Sequence, residues 1–310
     1  MVSSKRTKSE NFVRTERGYV SPSISSSSPL APEAQAVRKL FTEAQRTAQC
    51  HQRCCIALHR LMMKQPSSRD EFFACLSQLL VVFKREPAVE RLVQFVSLTV
   101  KVGMRTDNQF TREERDEVPF LVVRFLLQKT SAADKAVRFR SCQLVGQILT
   151  GLMNAPEPLL DEMTKRILPR LRDKIPVVRV QAVKVLEFLQ SQEAVVEDLV
   201  RALQSDSSPD VRKAVLESIE VNQNRTLPQV VRRVRDVKEG VRRAAFEKLR
   251  KVNVEYLSLE QRITLVSQGF ADRSDEVKAA CLAMVCTSWL GSTGNDPVSL
   301  LSLLDVTNNE

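Results

Sequence analysis

An aspartate followed six residues later by a basic residue occurs four times in the second half of this chain, and no other feature constrains the fold as strongly. Asp173 precedes Arg179, Asp206 precedes Arg212, Asp236 precedes Arg242, and Asp272 precedes Lys278. A valine stands directly before each basic residue (Val178, Val211, Val241, Val277), and twice a proline lies two positions before that valine, at Pro176 and Pro209. Proline suits the first turn of a helix, where its missing N–H would have no partner anyway. Each copy therefore predicts a helix start with an aspartate in the turn before it. The apolar residues that follow are spaced for one helical face: Val178, Ala182, Val185, Leu186 and Leu189 in the first copy, Val277, Cys281, Met284 and Val285 in the last. A second amphipathic segment precedes each copy, such as Val195, Leu199 and Leu203, or Leu227, Val230 and Val234. Each unit is thus read as a pair of antiparallel helices.

The basic residues recur at intervals of 33, 30 and 36, and a divergent copy, Ala136-Val137-Arg138-Phe139-Arg140, places Arg138 41 residues before Arg179. Paired helices at such periods predict an all-α fold of the solenoid kind, in which no repeat can bury its apolar face alone. The signature resembles HEAT repeats rather than tetratricopeptide or ankyrin repeats. Asp173, Asp206, Asp236 and Asp272, with Arg179, Arg212, Arg242 and Lys278, are expected to form a structural ladder. Together they would bond the turn backbone and the neighbouring unit, giving a ladder of satisfied polar groups along the array.

Gly is scarce, and alternating β-branched strands bounded by turns are missing, which argues against a sheet. The longest apolar run, Leu79 to Phe83, is five residues, far short of the ~20 that a membrane span needs. The N-terminal MVSSKRTKSE lacks the apolar stretch of a secretory signal. A soluble intracellular protein without membrane contact is expected. The seven cysteines mostly fall at apolar helical positions. Cys50, His51, Cys54, Cys55 and His59 share one helix but lack the paired short spacings of zinc knuckles, so they are assigned to packing and no metal or cofactor is expected.

Residues 1–32 form a basic, Ser-rich segment expected to be disordered, with Ser21 and Ser28 as candidate sites of proline-directed phosphorylation. The solenoid is expected over 33–310, with helices near 33–47, 49–64, 69–84 and 87–102. Capping boxes are expected at Thr111–Glu114 and Ser258–Gln261, and a kink at Pro169. The last apolar helix, within SLLSLLDV, finds no partner before Glu310, so the array is expected to be truncated or uncapped at that end.

The sequence holds no GxxxxGK[ST], GxGxxG or HExxH, and its carboxylates sit at turns and on polar faces without pairing as acid and base. Catalysis is therefore not expected. The charge is uneven. Residues 121–251 carry 25 cationic and 16 anionic side chains, a net of +9 in a chain of net +10. Such a concentration on a repeat array suits a polyanion. With the ladder arginines engaged internally, the better candidates are the cations around them: Lys135, Arg140, Lys174, Lys213, Arg232, Arg233 and Arg243. No aromatic residues are interleaved with these, so contact would be to phosphates and insensitive to base sequence.

Two stretches carry a closer likeness. Residues 81–96, VVFKREPAVERLVQFV, resemble the signature of the condensin CAP-G family, in which an apolar helix ends in a basic pair before an E-P-A-V-E-R segment. Residues 134–149, DKAVRFRSCQLVGQIL, resemble that family's divergent repeat, and DPVSLLSLLDVTNNE is similar to the point where the family continues into further repeats. The resemblance implies a non-catalytic HEAT-repeat subunit that clasps the kleisin subunit CAP-H and, with it, binds double-stranded DNA in a basic groove. ATPase activity would belong to SMC subunits reached through the kleisin. Residence would be in the nucleus and on mitotic chromosomes, and in the cytoplasm in interphase. Carried onto this chain, the phosphate contacts are Lys84, Arg85, Arg91, Lys135, Arg138 and Arg140, joined by Lys174, Lys213 and Arg243. The alternative is a HEAT adaptor of transport or phosphatase type that binds protein only.

Overall fold

The computed structural model describes residues 31–104, 112–151 and 156–305, with side chains omitted at 104 and 112–117. Ser21, Ser28 and the capping box expected from Thr111 lie outside the described residues. The chain divides into two compact units, Met1–Met153 and Asn154–Glu310.

The first unit holds α1 (Pro32–Arg46), α2 (His51–Lys64), α3 (Pro66–Leu80), α4 (Pro87–Met104), α5 (Arg112–Lys129) and α6 (Lys135–Leu149). Three of these begin at a proline, whose fixed φ suits the first turn. Packing of α1 on α3 and α4, of α2 on α4, and of α6 on α3, α4 and α5 closes a core around phenylalanines. The Phe41 ring meets Phe95 edge-on at 5.4 Å and Phe72 at 5.9 Å, and Phe72 and Phe95 are completely buried. Each such ring contributes about 1.5–3 kcal/mol through burial. The histidines and cysteines of α2 turn inward: His51 Nε2 lies 3.0 Å from the Ala44 carbonyl, and Cys55 Sγ contacts the Phe95 carbonyl. Among the described residues no group of three His, Cys, Asp or Glu side chains is arranged to hold a metal.

One boundary differs from expectation in a way that matters below. Pro66 starts α3 three residues early, and the helix ends at Leu80, so Lys84 and Arg85 stand in the turn before α4 and not at a helix C-terminus.

The second unit runs through α7 (Glu157–Ile167), α8 (Pro176–Leu186), α9 (Glu193–Ser205), α10 (Pro209–Ser218), α11 (Leu227–Arg232), α12 (Glu239–Leu249), α13 (Leu259–Phe270), α14 (Asp275–Ala283), α15 (Leu290–Ser292) and α16 (Pro297–Leu303). The second helices of the pairs stack in order, α8 on α10 on α12 on α14, while α7, α9, α11 and α13 make the other layer. The core is aliphatic, with Val178, Leu186, Leu199, Val215, Val230 and Leu249 buried. Pro169 does not bend a continuous helix: α7 stops at Ile167 and tightens into a 3-10 segment, Leu168–Arg172. The same tightening occurs at Arg233–Arg235. Ser258 and Gln261 form a reciprocal capping box on α13. Val298 and Leu301 on α16 are exposed. Among the described residues no helix is long and apolar enough to cross a membrane.

Candidate nucleic-acid interface

The repeated aspartates and arginines of the second unit bind one another. Arg179 grips Asp206 with two parallel bonds, Nε to Oδ2 at 2.8 Å and Nη2 to Oδ1 at 2.7 Å, while Nη1 donates to the Asp173 carbonyl at 2.8 Å. Arg212 does the same to Asp236 and to the Asp206 carbonyl. Arg242 does so to Asp272 and the Asp236 carbonyl. Each aspartate in turn accepts from the backbone N–H two residues on, at Ile175, Ser208, Lys238 and Ser274. One rung therefore shapes its own turn and fastens the next repeat. Burial alone would raise the Asp236 pKa, but the bond from Arg212 and the Lys238 N–H outweigh it and hold the carboxyl below the usual range. For Asp272 the Arg242 hydrogen bond dominates in the same direction. These arginines are consumed by structure and are not available to a ligand.

Lys278 departs from the series. Its ammonium pairs at 3.1 Å with Asp275 on its own helix, a residue that is 96% exposed, so it bridges to no further turn through this contact.

In the first unit, Arg140 requires a correction. It was expected to touch phosphate, yet its side chain is 0% exposed. Nε donates to the Val82 carbonyl at 2.9 Å, Nη2 to the Lys84 carbonyl at 2.6 Å, and Nη1 to Glu90 Oε1 and Gln143 Oε1, both at 2.7 Å. Gln143 completes the set by donating to Glu90 Oε2 at 3.1 Å. Burial would raise the Glu90 pKa, but Arg140, Gln143 and Arg85 together hold it below the usual carboxylate range.

Arg91 is also engaged, its Nε donating to the Gln45 carbonyl at the end of α1 at 2.7 Å. Arg138 holds the turn before α6 through the carbonyls of Ala132 and Ala133, six and five residues back. That is the bond Arg242 makes to Asp236 and Val237, so Arg138 keeps the ladder register while alanine replaces the turn aspartate.

Of the candidates in this unit, three remain outward. Lys84 and Arg85 are exposed in the 81–86 turn, and the Lys135 Nζ sits 5.2 Å from the centre of the Phe83 ring, which packs on Phe139 at 5.5 Å. Lys84, Arg85 and Lys135 thus share one local surface.

In the second unit Lys174 is exposed in its turn. Lys213 pairs with Glu217 at 3.7 Å, and Arg243 pairs with Glu276 at 2.5 Å and Glu247 at 3.2 Å. The Glu276 bond, foremost, raises the Arg243 pKa. Both keep about 40% exposure, but their charge is locally balanced. Arg232 is exposed, while Arg233 is turned in toward Asp236 at 3.4 Å.

At the ladder turns, four exposed cations were missed: Arg172, Arg235, Lys238 and Arg273. A signal for two of them was present. The string Arg-x-Arg-Asp occurs at 170–173 and 233–236, and in the 3-10 segment its first arginine faces the turn aspartate while the second is exposed, Arg172 there bonding Asp198 at 3.2 Å.

With the geometry in hand, comparison with known proteins is informative. A HEAT-repeat family model matches residues 123–220 and 160–250. The chain superposes on the crystal structure of the Schizosaccharomyces pombe condensin Cnd3–Cnd2 subcomplex with a TM-score of 0.78 at 28% identity, over 88% of this chain and 35% of that one. The fold is a HEAT-repeat α-solenoid. Among curated proteins it is similar to Condensin complex subunit 3 of Homo sapiens, 36% identical over 88% of this chain, and of Xenopus laevis, 34% identical over 89%. This chain spans only 28% of the length of either relative.

Proposed function

We propose that this chain acts as a condensin subunit of the CAP-G kind, a non-catalytic solenoid that binds the kleisin CAP-H and, with it, double-stranded DNA. The observation that carries the reading is the likeness to Cnd3 of the Cnd3–Cnd2 subcomplex across 88% of the chain, joined to the exposed cluster of Lys84, Arg85 and Lys135. A compact group of cations that leaves its neighbours' charges satisfied binds phosphate without reading bases. Lys174, Arg235, Lys238 and Arg273 provide a second run of cations along the turns of the other unit, beside Arg172, whose charge Asp198 balances at 3.2 Å. In this reading SMC ATPases associate through the kleisin, no cofactor is used, and the protein resides in the nucleus and on mitotic chromosomes, with a cytoplasmic pool in interphase.

The test is a titration of the full chain with duplex DNA, with and without a CAP-H segment, across salt concentrations. Binding is expected to weaken with a log–log slope of about −0.9 per neutralised phosphate and to be indifferent to base sequence. Charge reversal at Lys84 and Arg85 is expected to weaken it further. Absence of duplex affinity with CAP-H present would favour a protein-only adaptor and overturn the DNA half of the proposal.

A further inference from the structure

Arg140 is fully buried, and desolvating a guanidinium is costly unless its donors are matched. It spends them on an unusual set: two carbonyls from the 81–86 turn and the Glu90–Gln143 pair, all in one fork between α6 and the turn before α4. That turn lies between α3 and α4, outside any helical hydrogen-bond pattern, and it carries Lys84 and Arg85. One of the bonded carbonyls belongs to Lys84 itself. Phe83, between the two carbonyls, is pinned on Phe139.

Glu90 matters as much as the carbonyls. Its Oε1 lies 3.5 Å from Arg85 Nε and 2.7 Å from Arg140 Nη1. Arg140 and Gln143 make the short bonds to this carboxylate, and the Arg85 side chain, at the longer distance, stays 67% exposed. The two arginines thus share one carboxylate oxygen, with Arg140 holding the shorter bond.

We infer that Arg140 is a positioning residue for the DNA site, fixing the 81–86 turn through its two carbonyl bonds and sharing the Glu90 carboxylate with Arg85. This rests on the reading that Lys84 and Arg85 contact phosphate. It differs from the ladder role of Arg179, Arg212 and Arg242, because Arg140 reaches back to the preceding turn and the turn it fixes bears the cations.

The experiment measures salt-dependent duplex binding of the full chain with a CAP-H segment for R140M, K84A/R85A, the triple variant, and L144A. Leu144 is a buried position on the same helix, and its truncation is a packing control. If Arg140 presets both cations, R140M reduces the salt slope by about 2, as K84A/R85A does, and the triple variant loses nothing more. L144A is expected to lower the unfolding midpoint while leaving the slope unchanged. A slope unchanged in R140M but reduced in K84A/R85A overturns the inference and leaves the site intact. A slope unchanged in K84A/R85A overturns the site itself. Should R140M fail to fold, R140K serves in its place: it retains the charge against Glu90 but cannot fork onto both carbonyls. A reduced affinity in R140K with an unchanged unfolding midpoint supports positioning, and unchanged affinity refutes it.

Discussion

The two units of this chain solve the same problem with different residues. In the second, an aliphatic core is fastened by a periodic polar ladder in which each arginine reaches forward to the aspartate of the next turn, at Arg179–Asp206, Arg212–Asp236 and Arg242–Asp272. In the first, Phe41, Phe72 and Phe95 interlock at the core, and the polar fastenings follow no period. Arg38 holds Glu71, Arg91 holds the Gln45 carbonyl, and Arg140 reaches backward. The contrast teaches that a helix-pair junction can be fastened by a guanidinium that reaches a backbone carbonyl, a carboxylate or both. The direction of reach and the source of the carboxylate are free to vary. Where they vary, a turn can be held rigid while its own cations stay in water.

The most severe way to break this comparison is to remove one rung. Arg212→Met removes the two-bond partner of the almost wholly buried Asp236 and leaves it only the 3.4 Å contact to Arg233, a loss expected to cost about 3 kcal/mol. Denaturant unfolding followed by circular dichroism measures it. A cost below about 1 kcal/mol would mean that the aliphatic stacking alone holds these repeats and that the ladder is incidental.

A gentler probe is acid. Asp236 and Asp272 have folded pKa values depressed below the ordinary 3.8, and Glu90 below 4.5. A depressed carboxylate contributes stability that is present above its unfolded pKa and lost as pH falls through the folded one. Stability should hold near pH 6 and decline below about pH 4, with Glu90 starting to lose its contribution at higher pH than the aspartates. Amide exchange, corrected for intrinsic rates, should show the earlier loss in α4 and α6 and the later loss in α10 and α12. Equal loosening of all four helices would remove the distinction drawn between the units.

How much of this was legible in the sequence follows the same division. The six-residue spacing from Asp173 to Arg179 located the turns and the starts of α8 and α10, because proline, aspartate and arginine act there through local geometry that recurs. In the first unit the spacing persists only as Arg138. The positioning role proposed above falls on Arg140, two residues away, whose partners Val82, Lys84 and Glu90 lie 50 to 58 residues earlier in the chain. No local pattern distinguishes an arginine that points into a neighbouring turn from one that points into solvent, so Arg140 was grouped with the phosphate contacts. The basic pair at Lys84 and Arg85 was legible as a motif, but the end of α3 at Leu80 was not, since Val81, Val82 and Phe83 read as further helix.

The smallest expected effect concerns the fourth copy. Lys278 occupies the ladder position, yet its partner Asp275 is solvent-exposed on the same helix. Exposed i,i+3 pairs contribute little because water already screens both charges and two long side chains must be ordered to form them. Arg242, by contrast, is 7% exposed against an aspartate that is also 7% exposed. Lys278→Arg restores the ladder residue type without bringing a turn aspartate to it. The unfolding free energy is therefore expected to change by less than about 0.5 kcal/mol. A gain of about 2 kcal/mol would show that residue type at this position, and not a partner carboxylate in the next turn, is what makes a rung.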